Sequence, residues 1–351
     1  MWVDFHWHAR DFERQRYKET VEHSLAVAEA AGLDAIGVMP NTDPALTSFE
    51  LCQAYLSLVP KNSSVKVFVH VGLTPDLEQV KRAVEAIRLD DRIFGMKAYW
   101  GRSTGDLSIV EEDAQFRVMS ALAREGYDGV LVGHFEDERI MRDNLYDPKK
   151  PVTWSTLCRP EDAEISSFLK ILKMAESVNF QGALHVAHVS TAFVVDYVAD
   201  YKGPVKLSCG VTPHHVFFNN SKLEGPNGGY FKCNPPLRDE QTRKGLEARL
   251  VNGRIPIIES DHAPHSHDDK HPPEGKVPAS GLVVGTAWPY VINGLRSLGM
   301  SESAIHSAAF QNAVRLYGLE GRVEPVNKPD FDRLKELQGF YPFDPFACLK
   351  A

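Results

Sequence analysis

The chain has 351 residues, 43% of them hydrophobic and 25% charged, a composition typical of a globular protein with a large core. Its formal net charge of −8 at pH 7 argues against general affinity for nucleic acid or for an anionic membrane surface. No apolar run approaches the length of a membrane span, and Met1 leads directly into a predicted strand without a signal peptide. Because the five cysteines are scattered and include no Cys-x-x-Cys pair, we expect reduced thiols in a cytoplasmic protein.

Short apolar runs alternate with longer stretches of helical periodicity, a pattern typical of parallel βα units. The predicted strands are Trp2–His8, Ala35–Met39, Val65–Val71, Ile93–Ala98, Gly129–Val132, Gly182–His188, Val205–Cys209 and Ile255–Glu259. The predicted helices are Arg16–Ala31, Phe49–Val59, Leu77–Leu89, Glu111–Glu125, Glu161–Val178, Thr191–Tyr201 and Glu240–Val251, and the apolar stretch Leu282–Leu298 follows the last strand.

Eight βα repeats predict an α/β fold, a closed (β/α)8 TIM barrel over residues 1–320, with residues 321–351 as a C-terminal extension that packs on it. An open doubly wound sheet is the alternative, but no Gly-x-Gly-x-x-Gly follows the first strand. Three long connections, 135–160, 211–238 and 261–281, follow predicted strands. In a barrel they would lie on the C-terminal face, where active sites form.

Polar residues alternate along the first predicted strand, within the segment Asp4–Arg10. Because successive side chains of a strand point to opposite faces, Asp4, His6, His8 and Arg10 should share one face. Two imidazoles at this spacing can bind one metal ion, and the arginine could hold an anionic group beside it. A histidine-rich surface strand whose side chains have unrelated roles is the alternative.

Residue types that bind metals recur at the ends of four further predicted strands. They are Lys97, His134, His185, His188, Asp261, His262 and His265. Buried polar groups are costly unless they bind one another or a ligand, so five such ends meeting at one barrel mouth indicate a shared site. Because His185 lies three residues before His188 on the same strand, it should face the opposite side and pack as a structural residue.

Lys97 is unusual in this group because an ammonium among imidazoles and metal cations is electrostatically unfavourable. If the lysine lost its proton and combined with CO2, the resulting carbamate would offer two oxygens that could bridge two metals. An ion pair with Glu136 or Asp261 is the alternative. The sequence leaves these two interpretations nearly balanced.

Together the motifs resemble those of dihydroorotases in the amidohydrolase superfamily. The matching segments stand in the family's order between Asp4 and about Gly285 and are Asp4-x-His6-x-His8-x-Arg10, Met39-Pro40-Asn41-Thr42, Lys97, His134-x-Glu136-Asp137, His188-Val189-Ser190-Thr191, Asn234-Pro235-Pro236-Leu237-Arg238 and Asp261-His262-Ala263-Pro264-His265.

The resemblance implies a pair of Zn²⁺ ions at the C-terminal ends of the strands. The implied metal ligands are His6, His8, Lys97 as a CO2-derived carbamate, His134, His188 and Asp261. The implied substrate-binding residues are Arg10, Asn41, Asn234, His265, Ala279 and Gly281. The reaction would be the reversible cyclisation of N-carbamoyl-L-aspartate to L-dihydroorotate in pyrimidine synthesis, with a metal-bridging hydroxide as nucleophile and Asp261 as general acid and base.

Two other functions compete with this one. A hydantoinase, dihydropyrimidinase or allantoinase would keep the metals, but those relatives generally lack an arginine at the position of Arg10. A catalytically silent barrel that serves a partner such as a transcarbamoylase would be expected to have lost ligands. We expect a small anionic substrate, no nucleic acid or membrane partner, and a homodimer. His214, His215, His262, His267 and His271 are expected to lie outside the ligand set.

Overall fold

The computed structural model of the chain describes residues 2–12, 14–102, 107–273 and 275–350. Eight strands form one sheet in which neighbours in sequence are neighbours in space and every pair is parallel. They are β1 (Trp2–Trp7), β2 (Leu33–Val38), β3 (Lys66–Gly72), β4 (Ile93–Tyr99), β5 (Val130–His134), β6 (Ala183–Val186), β7 (Lys206–Val211) and β8 (Ile257–Ile258).

The sheet closes between β1 and the segment after β8. The backbone N–H of His8 donates to the carbonyl of His262 at 2.8 Å, and Trp7 forms a parallel bridge to the same residue. This closure confirms the predicted (β/α)8 barrel and is incompatible with an open doubly wound sheet.

The last strand is shorter than the predicted Ile255–Glu259. Beyond it the N–H of Ser260 donates to the carboxylate of Asp4 at 3.1 Å instead of to a neighbouring strand. This side-chain contact ties the segment after β8 to the first strand and brings the two ends of the sheet together.

Helices connect the strands and continue beyond the last of them. They are α1 (Val21–Ala30), α2 (Phe49–Leu56), α3 (Leu77–Leu89), α4 (Glu112–Arg124), α5 (Glu161–Ser177), α6 (Ala192–Asp200), α7 (Pro213–Phe217), α8 (Glu240–Val251), α9 (His267–Lys270), α10 (Trp288–Ser297), α11 (Glu302–His306), α12 (Asn312–Leu316) and α13 (Phe331–Gln338). Val80, Ala83 and Val84 of α3 recur at helical spacing and are buried, which is why this face packs on the sheet. None of the described helices is both long and apolar enough to cross a membrane.

The first helix begins later than predicted, at Val21 and not at Arg16. The side chain of Thr20 accepts a hydrogen bond from the His23 N–H, the usual arrangement at a helix N-terminus. Residues before Thr20 therefore belong to the loop that follows β1.

Aromatic rings fill the N-terminal end of the barrel. Phe5 meets Phe68 and Phe94 edge to face, with ring centroids 6.0 Å and 5.2 Å apart. Tyr317, just after α12, stacks on Phe94 with a centroid separation of 4.3 Å. Because this end is apolar and packed, polar side chains inside the barrel are concentrated toward the C-terminal end.

Parts of the segment 321–350 lie against the first βα unit. The N–H groups of Val326 and Asn327 both donate to the carboxylate of Asp34 at 2.8 Å. The hydroxyl of Tyr341 bonds the buried carboxylate of Glu19, next to α1. A domain boundary at residue 320 stays a prediction.

Candidate active site

A polar cavity opens at the C-terminal mouth of the barrel. It is lined by His6, His8, Arg10, Asn41, Lys97, Tyr99, His134, His188, Asn234, Asp261, Ala263, Ser280 and Gly281. All the predicted metal ligands therefore line a single cavity, together with most of the predicted substrate-binding residues. His265 and Ala279 are not among the lining residues.

His6, His8 and Asp261 form the first group of ligand atoms. The Nε2 atoms of His8 and His6 lie 2.9 Å and 3.4 Å from the same oxygen of Asp261. Ligand atoms about 2.1 Å from a tetrahedral zinc ion are roughly 3.4 Å from one another, so these separations fit a shared metal. The three side chains are buried and converge as a metal site requires.

Asn41 orients His8. The Nδ1 atom of His8 lies 2.7 Å from the Oδ1 atom of Asn41. Because an amide oxygen only accepts hydrogen bonds, Nδ1 carries a proton, and Nε2 is the ring nitrogen turned toward Asp261. The contact with His8, a candidate metal ligand, is a second role for Asn41 besides the substrate binding that the sequence predicts.

His134 and His188 form the second group. The Nδ1 atom of His134 lies 3.3 Å from the Nε2 atom of His188. On its other side, His134 donates from Nε2 to Glu136 at 2.9 Å, and Glu136 is itself paired with Arg159. The carboxylate thus holds the proton on Nε2 and leaves the Nδ1 lone pair for a metal, an arrangement common in metalloproteins.

Protonation in the site suits metal binding, which requires neutral imidazoles and ionised carboxylates. Burial lowers the pKa of His8 to about 4 and lowers the pKa of both His134 and His188 as well. Burial alone would raise the pKa of Asp261, but the imidazoles of His6 and His8 hold it below its usual range.

Lys97 is fully buried, and its Nζ atom makes no hydrogen bond or ion pair among the described residues. Glu136 is bonded to His134 and Arg159, and Asp261 contacts His6 and His8, so the ion-pair alternative for Lys97 is wrong. Burial lowers the pKa of Lys97 to about 8, which leaves a fraction of neutral amine at physiological pH.

Two of the candidate ligands sit on left-handed backbone. His188 has φ of 41° and Asp261 has φ of 48°. Residues other than glycine rarely adopt this conformation, which persists only where the surroundings enforce it and is concentrated at functional sites. At His188 the enforcing contact is a hydrogen bond of 2.6 Å from its N–H to Glu259.

Glu259 is a buried carboxylate beneath the ligands that the sequence analysis missed. Besides the His188 N–H, it lies 3.4 Å from Nε2 of His185 and 3.6 Å from Nδ1 of His6. His185 therefore points into the barrel interior, and the expectation that it faces away from the site is wrong. β6 ends at Val186, so simple alternation does not extend to His188. The available signal was the position of Glu259 two residues before Asp261.

Arg10 lines the cavity as a buried cation. It is 2% exposed, its Nε and Nη1 atoms make no hydrogen bond, and no carboxylate among the described residues lies within ion-pair distance. Burial lowers the pKa of Arg10, yet a guanidinium stays charged. A desolvated charge is costly unless an anionic group lies beside it.

The remaining histidines make other contacts. His215 uses both ring nitrogens, with Thr212 at 2.7 Å and the Pro235 carbonyl at 3.1 Å, so it is not free to join His214 and Cys233 as a ligand of a second metal. The Nδ1 atom of His262 accepts the N–H groups of residues 284 and 285.

The loop after β8 is held by its own contacts. His265 donates from Nε2 to the Ser280 carbonyl at 2.9 Å, and the Ala279 N–H donates to the Asp269 carbonyl at 2.9 Å. The Gly281 N–H is bonded to the Lys232 carbonyl at 2.9 Å. These groups shape the wall of the cavity, and direct contact of His265 and Ala279 with substrate stays a prediction.

Solved structures share this fold. The L-hydantoinase (dihydropyrimidinase) of Arthrobacter aurescens superposes with a TM-score of 0.79 at 22% identity, over 90% of this chain and 70% of that chain. A D-hydantoinase (dihydropyrimidinase) from Thermus sp. gives a TM-score of 0.77 at 20% identity, over 94% and 73%. At these identities the similarity concerns the fold alone.

Sequence relatives are more specific. No model of a known protein family matches the chain. The dihydroorotase of Thermococcus kodakarensis is 30% identical over 320 residues, 91% of this chain and 68% of that protein. The dihydroorotase of Methanosarcina mazei is 28% identical over 327 residues, 91% of this chain and 69% of that protein. The chain thus spans about two thirds of the length of these relatives, belongs to the dihydroorotase family and is a cyclic amide hydrolase.

Proposed function

We propose that this enzyme is a zinc-dependent dihydroorotase, which interconverts N-carbamoyl-L-aspartate and L-dihydroorotate. The observation that supports this most is the buried guanidinium of Arg10 beside the metal-type ligands, a guanidinium that no carboxylate pairs with in the described part of the chain. Dihydroorotate carries a carboxylate on its ring, whereas hydantoin and dihydrouracil carry none. Only the carboxylate-bearing ring would neutralise Arg10, and guanidinium and carboxylate match in geometry.

Two zinc ions fit the donor set. His6, His8 and Asp261 would hold one ion and His134 with His188 the other, since each group converges at distances that suit a shared metal. The amine of Lys97 has no partner in the described part of the chain. Addition of CO2 to it forms one N–C bond and releases one proton, and the anionic product would bridge the groups. When bound, the metals would supply a hydroxide nucleophile at neutral pH and polarise the scissile carbonyl.

The side chains of the protein would bind the substrate and move the proton. Arg10 would hold the ring carboxylate, with Asn41 and Asn234 around the ring because they line the same cavity. Asp261, kept ionised by the imidazoles beside it, would accept a proton during attack on the amide carbon and pass it to the departing ring nitrogen. In ring closure the same carboxylate would return the proton.

The thiols support a location in a reducing compartment. All the cysteines are free, and Cys52, Cys158, Cys209 and Cys233 are buried. Free thiols are typical of proteins of the cytoplasm, where we place the enzyme in the de novo synthesis of pyrimidines.

The test is a comparison of turnover by the zinc-loaded enzyme on dihydroorotate, dihydrouracil, hydantoin and allantoin. We expect dihydroorotate to be strongly preferred. Arg10→Met should lower kcat/KM for dihydroorotate by about 100-fold, mainly through KM, and should change turnover of the uncharged rings little.

Arg14→Met is the matched control, because Arg14 lies in the same loop with its side chain 80% exposed. It should leave all four activities unchanged. A wild type that prefers an uncharged ring, or an Arg10→Met variant equally impaired on every ring, would overturn the proposed substrate.

A further inference from the structure

Three loops meet at one wall of the cavity through a chain of hydrogen bonds. The Trp154 Nε1 atom lies 3.1 Å from the Asn234 Oδ1 atom, and the Ser280 Oγ atom lies 3.0 Å from the same oxygen. The Lys232 Nζ atom lies 2.6 Å from the Ser280 hydroxyl. Trp154 follows β5, Lys232 and Asn234 follow β7, and Ser280 follows β8, so the chain of bonds joins segments that are far apart in sequence.

The direction of these bonds is determined by donor chemistry. An indole N–H can only donate, so the atom of Asn234 that faces Trp154 is the amide oxygen. Trp154 shares this N–H with the Cys233 carbonyl at 3.0 Å, which leaves its donor role unchanged. The same oxygen of Asn234 can only accept from Ser280, so the hydroxyl proton points to Asn234. The Ser280 oxygen therefore accepts its bond from Lys232.

Lys232 is buried without a counter-ion. It is 4% exposed, no carboxylate among the described residues pairs with it, and its Nζ atom lies 3.6 Å from the ring centroid of Trp154. Burial lowers the pKa of Lys232 well below its usual range, but the amine keeps N–H donors in either protonation state. Burial of a lysine without a counter-ion is costly. A residue whose only role was to connect these loops would not need to be a lysine.

The network decides what Asn234 presents to a ligand. Its oxygen accepts two hydrogen bonds, while its Nδ2 atom makes no hydrogen bond in the described part of the chain. Asn234 lines the cavity together with the metal-type ligands. It can therefore offer N–H donors to a bound ring, and its acceptor is already used.

We propose that Lys232, Ser280 and Trp154 are positioning residues that make Asn234 a hydrogen-bond donor to a second, non-scissile carbonyl of the substrate. A cyclic amide that also carries a urea carbonyl between two N–H groups, a cyclic ureide, has such an acceptor. This inference rests on the proposed function only in taking the substrate to be a cyclic ureide. Dihydroorotate, dihydrouracil and hydantoin all belong to this class, so it does not depend on the ring carboxylate.

The test compares the affinity of the zinc-loaded enzyme for two ligands by competitive inhibition. One is a cyclic ureide, and the other is its analogue with an amino group in place of the urea oxygen, which changes an acceptor into a donor. A site built around a donor should discriminate against the analogue by about 100-fold or more. Asn234→Asp keeps the shape and the oxygen that accepts from Trp154 and Ser280 but replaces the free N–H donors by an acceptor.

In Asn234→Asp we expect the preference for the carbonyl ligand to fall by about 100-fold or to reverse. Ser280→Ala and Lys232→Met should each reduce the preference by about 10-fold. The first removes one of the two donors that hold the Asn234 oxygen, and the second removes the donor that orients the Ser280 hydroxyl. Lys222→Met is the matched control, since Lys222 also lies over aromatic rings of this loop, 5.5 Å from the ring centroid of Phe218, and should leave the preference unchanged.

If Lys232, Ser280 and Trp154 had a purely structural role, every variant would bind both ligands more weakly by the same factor, and that result would overturn the proposal. If Asn234→Asp does not fold, the ratio of the two affinities in Ser280→Ala decides: an unchanged ratio would overturn the proposal. If the enzyme prefers hydantoin or dihydrouracil, the ligand pair is made from that ring, so failure of the carboxylate specificity is distinguished from failure of this inference. Wild type that binds none of these rings would overturn both.

Discussion

The substitution Glu259→Gln tests whether one carboxylate beneath the site positions the metal ligands. The oxygen of glutamine can still accept the His188 N–H, which lies 2.6 Å from Glu259. The new amide nitrogen would face Nε2 of His185 and Nδ1 of His6, which are 3.4 Å and 3.6 Å from the carboxylate. The negative charge beside both imidazoles is thus removed, and the carboxylate oxygen that faces Nδ1 of His6 is replaced by an N–H donor.

The loss of such a partner of a metal-binding histidine lowers metal affinity by about 10- to 100-fold, or about 1.4 to 2.8 kcal/mol of binding free energy. We expect Glu259→Gln to fall in this range. Affinity is measured by competition between the apoprotein and a zinc chelator of known strength, and the metal content per chain is measured after equilibration.

Asp34→Asn is the matched control. Asp34 is also buried, but it accepts the N–H groups of Val326 and Asn327 at the opposite end of the barrel. The control should lower the free energy of unfolding without changing zinc affinity. Wild-type zinc affinity in Glu259→Gln, or an equal loss in both variants, would refute the positioning role of Glu259.

Three further predictions concern single side chains. Lys97→Ala should release at least one of two zinc ions, because its unpartnered amine is the group that a carbamate would form on; two retained zinc ions with wild-type turnover would contradict this. Asp261→Ala should lower kcat by about 1,000-fold or more while circular dichroism stays unchanged, and near-normal turnover would assign the proton transfer elsewhere. Burial lowers the pKa of Lys270 from 10.5 to about 7, so between these values the unfolded chain binds a proton that the folded protein lacks. The contribution of Lys270 to the free energy of unfolding should therefore rise with pH across this window, by up to about 1.4 kcal/mol per pH unit. Urea unfolding measured at several pH values should show this rise in the wild type and not in Lys270→Met. Parallel plots of unfolding free energy against pH for the two proteins would show that Lys270 does not titrate in this window.

The barrel was predictable because its pattern is local. Each strand is a short apolar run, each helix repeats at its own period, and α3 and α8 have the predicted bounds. His6 of β1 and His8 just after this strand, which lie close to Asp261 across the closed sheet, followed from the same periodicity. The resemblance to dihydroorotases supplied the grouping of these residues into one site, which spacing along the chain does not contain.

What the sequence did not reveal depends on chain closure. Glu259 contacts His6 and the His188 backbone only because β8 pairs with β7 and the segment after β8 lies next to β1 in the closed barrel. Arg159 reaches Glu136 from a long loop whose path no periodic pattern describes. His185 was placed on the wrong side because the alternation was extended past Val186 into a residue with left-handed backbone.

A single arginine would be sufficient for the proposed reaction, which runs in both directions. N-carbamoyl-L-aspartate has two carboxylates, and ring closure converts one of them into the amide carbonyl while the other persists in dihydroorotate. In the proposed reaction the persistent carboxylate stays on Arg10 throughout, so the cavity needs no second unpaired cation that would be left without a partner after cyclisation. The reacting carboxylate must instead be activated at the opposite end of the substrate, where the metal-type ligands lie. Because the protein as a whole is acidic, with a net charge of −8, this division would restrict its affinity for anions to molecules whose permanent carboxylate fits Arg10.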